Sequence, residues 1–171
     1  MNSLSRVFGK LTLLMHWIGG VFLIGMMFST LLDVITRGLF SLTDGAVDLT
    51  FIGGVELVKY FLLFTVLFIL PHSVSRSQVI VDLFTDNFSE RKKRLFEAFY
   101  LLCFAFLGGT MSYGFFHLID EAAMSYETTQ DLLIPLTYFY AVATFATAML
   151  CLSATLNAFS LVLTNNKSDD A

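Results

Sequence analysis

Four long stretches without a formal charge confine this chain to the folds that a lipid bilayer permits. Twenty-two residues from Leu11 to Leu32 contain no Asp, Glu, Lys or Arg, and another 22 run from Ala98 to Ile119. A third stretch, Leu132 to Asn166, is 35 residues long. The fourth is shorter, 16 residues from Tyr60 to Ser75, and reaches spanning length if its helix starts near Phe51 with Glu56 and Lys59 close to the interface. Crossing a bilayer as a helix takes about 20 apolar residues. No two-residue alternation persists through these stretches, which excludes barrel strands and leaves helices. The expectation is an all-α integral membrane protein, one membrane domain over residues 1–171, with transmembrane helices near 11–36, 51–75, 95–119 and 132–160.

Composition agrees. Of 171 residues, 56% are hydrophobic, 14% are charged and 19 are Phe, whereas soluble domains carry about 25% charged residues. A soluble enzyme, a disordered tail and a secreted disulfide scaffold are excluded, and a net charge of −4 argues against nucleic acid as a partner. The first stretch is too long for a signal-peptide core and is followed by Asp33-Val-Ile-Thr-Arg37, not by a small-x-small cleavage site. It is expected to be retained as the first span.

Lys and Arg set orientation. Arg6 and Lys10, then Arg76, Arg91, Lys92, Lys93 and Arg94, then Lys167 place eight of the ten basic residues on one side. Arg37 and Lys59 fall on the other, beside Asp44, Asp48, Asp120, Glu121, Glu127 and Asp131. Both termini are therefore expected in the cytoplasm, with two short acidic loops outside. Between spans 2 and 3, Ile80, Leu83, Phe84 and Phe88 recur at helical spacing among Gln78, Asp82, Thr85 and Asp86. This predicts a short amphipathic interfacial helix over about 78–88. Ser89-Glu90 reads as the N-terminus of span 3, Thr128 and Asp131 as N-caps for span 4, and Pro135 as part of its first turns.

A self-sufficient transporter or channel usually keeps an ionisable group at mid-membrane, and none of these spans has one centrally. Asp33, Arg37, Glu56 and Lys59 all cluster towards the outer ends. Asp33 and Arg37 stand at i and i+4, and Glu56 and Lys59 at i and i+3, so each pair shares a helix face. They read as a polar collar, a docking surface, or both. His16 and His72 fall at a similar inner level, where two facing histidines could ligate haem; the plainer reading is polar rings resting at the interface. Cys103 and Cys151 read as small apolar fillers. No phosphate loop, nucleophile triad or carboxylate pair occurs in a water-facing segment, so an enzyme is not expected. Gly25 and Ser29, Gly108 and Ser112, and the run Ala141, Ala143, Thr144, Ala146, Thr147, Ala148 are small-residue faces suited to close helix packing. The last lies on more than one face, which suggests a second membrane protein against it.

Three segments carry a family resemblance: Asp33-Val-Ile-Thr-Arg37-Gly-Leu-Phe40 closing span 1; Glu56-Leu-Val-Lys-Tyr60 opening span 2, with Val79-Ile-Val-Asp82-Leu-Phe84 after it; and Thr129-Gln-Asp-Leu132-Leu-Ile134-Pro135 ahead of span 4. In this order they resemble the DctQ-like small membrane subunit of tripartite ATP-independent periplasmic (TRAP) transporters. Val55 precedes Glu56 where the family often has a further acid, Gln78 stands where a histidine is common, and Thr137 where a tryptophan often follows the proline.

The resemblance implies a non-catalytic subunit of the bacterial inner membrane that braces a large sodium-coupled elevator subunit. A periplasmic binding protein would deliver an organic or sugar acid: a dicarboxylate, a keto acid or sialic acid. It implies no cofactor in this subunit, with sodium sites in the large partner. Arg37, Asp44, Asp48, Glu56 and Glu127 are then the expected contacts with the partner proteins. Two rivals remain: a haem- or quinone-linked anchor of a respiratory enzyme using His16 and His72, and a small drug exporter. The exporter would need a membrane-embedded acid that span 1 lacks before Asp33.

Overall fold

The computed structural model describes residues 3–46, 49, 52–74 and 90–168. Four α-helices make up nearly all of this: α1 (Ser3–Leu42), α2 (Gly54–Ser73), α3 (Glu90–Ser125) and α4 (Leu136–Ser168). Each contains a window long and apolar enough to cross a membrane. The expected interfacial helix at 78–88 lies outside the described residues.

Three of the helices extend beyond the expected spans. At 1.5 Å per residue the 40 residues of α1 measure about 60 Å, roughly twice a hydrocarbon core. No Pro falls within α1, α3 or α4, so no such breaker interrupts these helices where the charge-free runs end. What stops α1 and α3 is one device used twice. Asp44 (φ +47°) and Tyr126 (φ +54°) adopt the left-handed conformation. The next residues then reach back, Gly45 N–H to the Phe40 carbonyl at 3.0 Å and Glu127 N–H to the Ala122 carbonyl at 3.3 Å. These are Schellman closures of the helix ends.

Two expectations at helix starts are corrected. α2 begins at Gly54, not Phe51, with Gly53 ahead of it and no side-chain cap. α4 begins at Leu136, so Pro135 precedes the helix and neither Thr128 nor Asp131 caps it. Thr128 instead bridges to Pro135 across a tight loop.

The helices pack as an open row. α1 lies on α2, α2 on α4 and α4 on α3, and among the described residues the remaining pairs touch only marginally. α2 and α4 are the interior of the row, while most of α1 and α3 stays exposed. The core follows this order. Tyr60, Phe64, Leu67 and Phe68 of α2 pack against Met15 of α1 and against Ala143, Ala146 and Met149 of α4. A second cluster joins Leu101 and Ala105 of α3 to Leu150, Ala154 and Ala158 of α4.

The small-residue faces are seams of this row. An added Cβ on Gly19 would meet Ile69 at 2.7 Å, and one on Gly108 would meet the Cys151 backbone nitrogen at 2.8 Å. Ser29 donates to the Gly54 carbonyl at 3.5 Å, and Ser112 to the Thr144 carbonyl at 3.3 Å. Ala143, Ala146 and Thr147 are buried inside the chain. The multi-faced smallness of span 4 therefore has an internal cause: α4 is flanked on both sides by its own chain.

Candidate functional site

The start of α2, the end of α3 and the start of α4 converge on the loop of residues 126–135, and Glu56 organises it. Glu56 sits in the first turn of α2, where backbone N–H groups favour an anion. Its side chain leaves the helix and enters the loop. Oε1 accepts the Gln130 N–H at 2.9 Å, and Oε2 accepts the N–H groups of Asp131 at 3.0 Å and Leu132 at 2.9 Å. Three successive backbone donors converging on a carboxylate form a nest, a geometry that fixes a loop as well as an anion. Thr129, nearly fully buried, locks the turn from within: its hydroxyl accepts the Ile134 N–H at 3.1 Å and its own N–H donates to the Ile134 carbonyl at 2.9 Å. The Leu136 N–H, orphaned at the start of α4, donates to the Glu127 carbonyl at 3.0 Å.

Of the residues expected to contact partners, the structure therefore withdraws Glu56 from the surface: it is 9% exposed and held by its own loop. Nor does it neutralise Lys59, whose ammonium stands 5.4 Å over the Tyr60 ring. Arg37 remains exposed and bonds the Asp33 carboxylate at 3.0 Å, as their spacing predicted. Asp44 is exposed in the turn that ends α1, and Glu127 is exposed in the turn that ends α3. Asp48 lies outside the described residues.

Sequence reasoning missed the apolar part of this end. Leu42, Ile52, Val55, Met124, Tyr126 and Leu133, at or beside the turns that follow α1 and α3 and precede α2 and α4, are all more than 60% exposed. Each sits next to a turn, a place where a bulky apolar residue has no packing role of its own. That mismatch was the available signal. These apolar residues are interspersed with the exposed acids Asp44 and Glu127. Beneath the loop, a cavity of about 490 Å3 opens between α2 and α4, bordered by Phe115 of α3.

At the opposite end His16 and His72 do meet, ring to ring, with centroids 5.1 Å apart and planes tilted by 52°. Two rings in direct contact leave no layer between them for a flat macrocycle, so the haem geometry required of the pair is not formed. Cys103 and Cys151 are both free thiols. Among the described residues no cluster of three or more His, Cys, Asp or Glu is suited to a metal ion.

The profile of one protein family, described as "Tripartite ATP-independent periplasmic transporters, DctQ component", matches residues 26–164, well over half of the chain. No curated protein and no solved structure matches. The matched range takes in the C-terminal part of α1, from residue 26, and the whole Glu56 loop. Two of the segments that carried the resemblance, Glu56-Leu-Val-Lys-Tyr60 and Thr129 to Pro135, meet in space as carboxylate and nest.

Proposed function

The chain belongs to the DctQ component family of the tripartite ATP-independent periplasmic transporters, and from that membership we propose that it is the fixed small subunit of such a transporter. Its role is to brace a large, sodium-coupled elevator subunit that imports an organic or sugar acid brought by a periplasmic binding protein. The observation that carries this reading is the open row. A chain that moved a solute by itself would enclose a polar path; here α1 is apolar and exposed along most of its length, and no span holds a central ionisable residue. A helical row with an unpacked apolar flank offers a membrane partner, as well as lipid, a surface to pack against, and the long α1 supplies that flank.

The outer rim provides the second contact. Arg37, Leu42 and Asp44 at the end of α1, and Tyr126, Glu127 and Leu133 between α3 and α4, are two mixed exposed patches, and the Glu56 nest holds the second rigid. Pre-ordering a docking loop lowers the entropy lost on association. With eight of ten basic residues on the opposite side, this rim faces the periplasm and both termini face the cytoplasm of the inner membrane. The substrate class stays with the binding protein and covers dicarboxylates, keto acids and sialic acid.

Co-purification tests the proposal. The tagged chain, extracted from its native membrane in a mild detergent, is expected to bring down a large many-spanning protein in near-equal amount. A flavin- or iron–sulfur-containing soluble subunit in its place would replace the transporter reading with the respiratory anchor.

A further inference from the structure

The cavity beneath the Glu56 loop is lined at its mouth by polar groups and deeper by apolar side chains. On the α2 wall Lys59 is followed one turn further on by Leu63; on α4 the wall is apolar already at Leu136 and continues to Phe139 and Ala143. Four residues of helix cover about 6 Å, so on α2 the lining changes from charged to apolar over a depth comparable to that at which a headgroup gives way to acyl chain.

The charges at the mouth are specific. Among the described residues the Lys59 ammonium has no carboxylate within salt-bridge distance and rests over the Tyr60 ring. The neighbouring Glu56 carboxylate is directed into the loop amides. Lys59 thus forms no ion pair at the mouth of a cavity whose deeper lining is apolar, which leaves its ammonium available to a phosphate diester that carries chains. Asp131 and Gln130 stand at the same mouth. A carboxylate there repels a headgroup of net negative charge and favours one that also bears an ammonium.

We propose that this cavity is a binding site for one zwitterionic aminophospholipid of the outer leaflet. Its phosphate pairs with Lys59, its ammonium is accommodated by Asp131, and its chains descend past Leu63 and Phe139. The site rests on the cavity and on the orientation read from the basic residues, and does not depend on the bracing role proposed above. A bound lipid here wedges the outer ends of α2 and α4 beneath the nest and seals the row where it is most open.

Native mass spectrometry of the full chain in a delipidating detergent tests this, with phosphatidylethanolamine, phosphatidylglycerol and glycerophosphoethanolamine as probes. The expected result is one phosphatidylethanolamine per chain, with phosphatidylglycerol roughly five- to tenfold weaker, the scale set by one charged contact. Lys59→Gln removes the charge, shortens the aliphatic stem by two methylenes, and is expected to weaken retention by a similar factor. Leu63→Trp fills the cavity and is expected to abolish retention, with its melting temperature reporting that it folds; Lys59→Gln decides the matter if it does not. Equal retention by wild type and variants would mean annular lipid only and overturn the proposal. Equally tight binding of the chainless headgroup would make this a phosphate site, and release of the lipid by an added large subunit would make it a protein groove. Either result also overturns it.

Discussion

The carboxylate of Glu56 accepts the backbone N–H of Leu132 at 2.9 Å, joining positions 76 residues apart in sequence. With the Gln130 and Asp131 bonds it makes the first turn of α2 the anchor of the loop ahead of α4. A Glu56→Gln variant keeps the shape but turns an NH2 towards donors that need an acceptor. Amide exchange at Gln130, Asp131 and Leu132 is expected to accelerate, while the centre of α2 near Phe64 stays protected. Unchanged protection at the three loop amides would remove Glu56 from its anchoring role.

The α3–α4 seam depends on a missing side chain. A Cβ at Gly108 would lie 2.8 Å from the Cys151 nitrogen and 3.0 Å from the Thr147 carbonyl oxygen, both backbone atoms that cannot move aside. Gly108→Ala is expected to destabilise the chain by about 1–3 kcal/mol. At Gly114, where nothing lies within 4 Å, the same change should be neutral or stabilising by up to about 1 kcal/mol through helix propensity. Reversible unfolding in mixed detergent micelles compares the two, and similar effects at both sites would contradict the seam.

Ser153 donates its hydroxyl to the Pro71 carbonyl at 2.7 Å from a fully buried position. That carbonyl lies in the last turn of α2, where intrahelical partners run out. Ser153→Ala is expected to cost about 1 kcal/mol, the scale of one interhelical hydrogen bond in a membrane protein. The same unfolding assay measures it; no loss would mean the carbonyl finds another donor.

Arg37 and Asp33 form an exposed i,i+4 pair. Such pairs contribute about 0.3–0.5 kcal/mol, so Arg37→Ala should leave the unfolding midpoint of the isolated chain almost unchanged. Its effect belongs to assembly: capture of the large subunit or binding protein is expected to weaken. A large loss of stability with intact assembly would reverse that assignment.

Much of the fold was legible because lipid leaves few choices. Charge-free runs predict helices and their approximate centres, and the i,i+4 spacing of Asp33 and Arg37 predicted their bond. Helix ends were less legible: Asp44-Gly45 is a turn signal that the charge-free runs leave unused, and Tyr126 stops α3 through left-handed backbone that its residue type does not announce. The packing order was not legible at all. Small residues on several faces of α4 fit a partner protein as well as a central place in a row, and only the contacts with α2 and α3 distinguish these. Glu56 was singled out as a surface residue because spacing along one helix cannot reveal a loop arriving from 74–76 residues away.

The central claim, that this chain braces a transporter and moves nothing by itself, is tested most directly by uptake into proteoliposomes. Vesicles with an imposed sodium gradient would hold this chain alone, the large subunit alone, or both, with the binding protein and its labelled organic acid outside. The account predicts no uptake by this chain alone and sodium-dependent uptake by the pair. Uptake above the empty-vesicle level by this chain alone would contradict it.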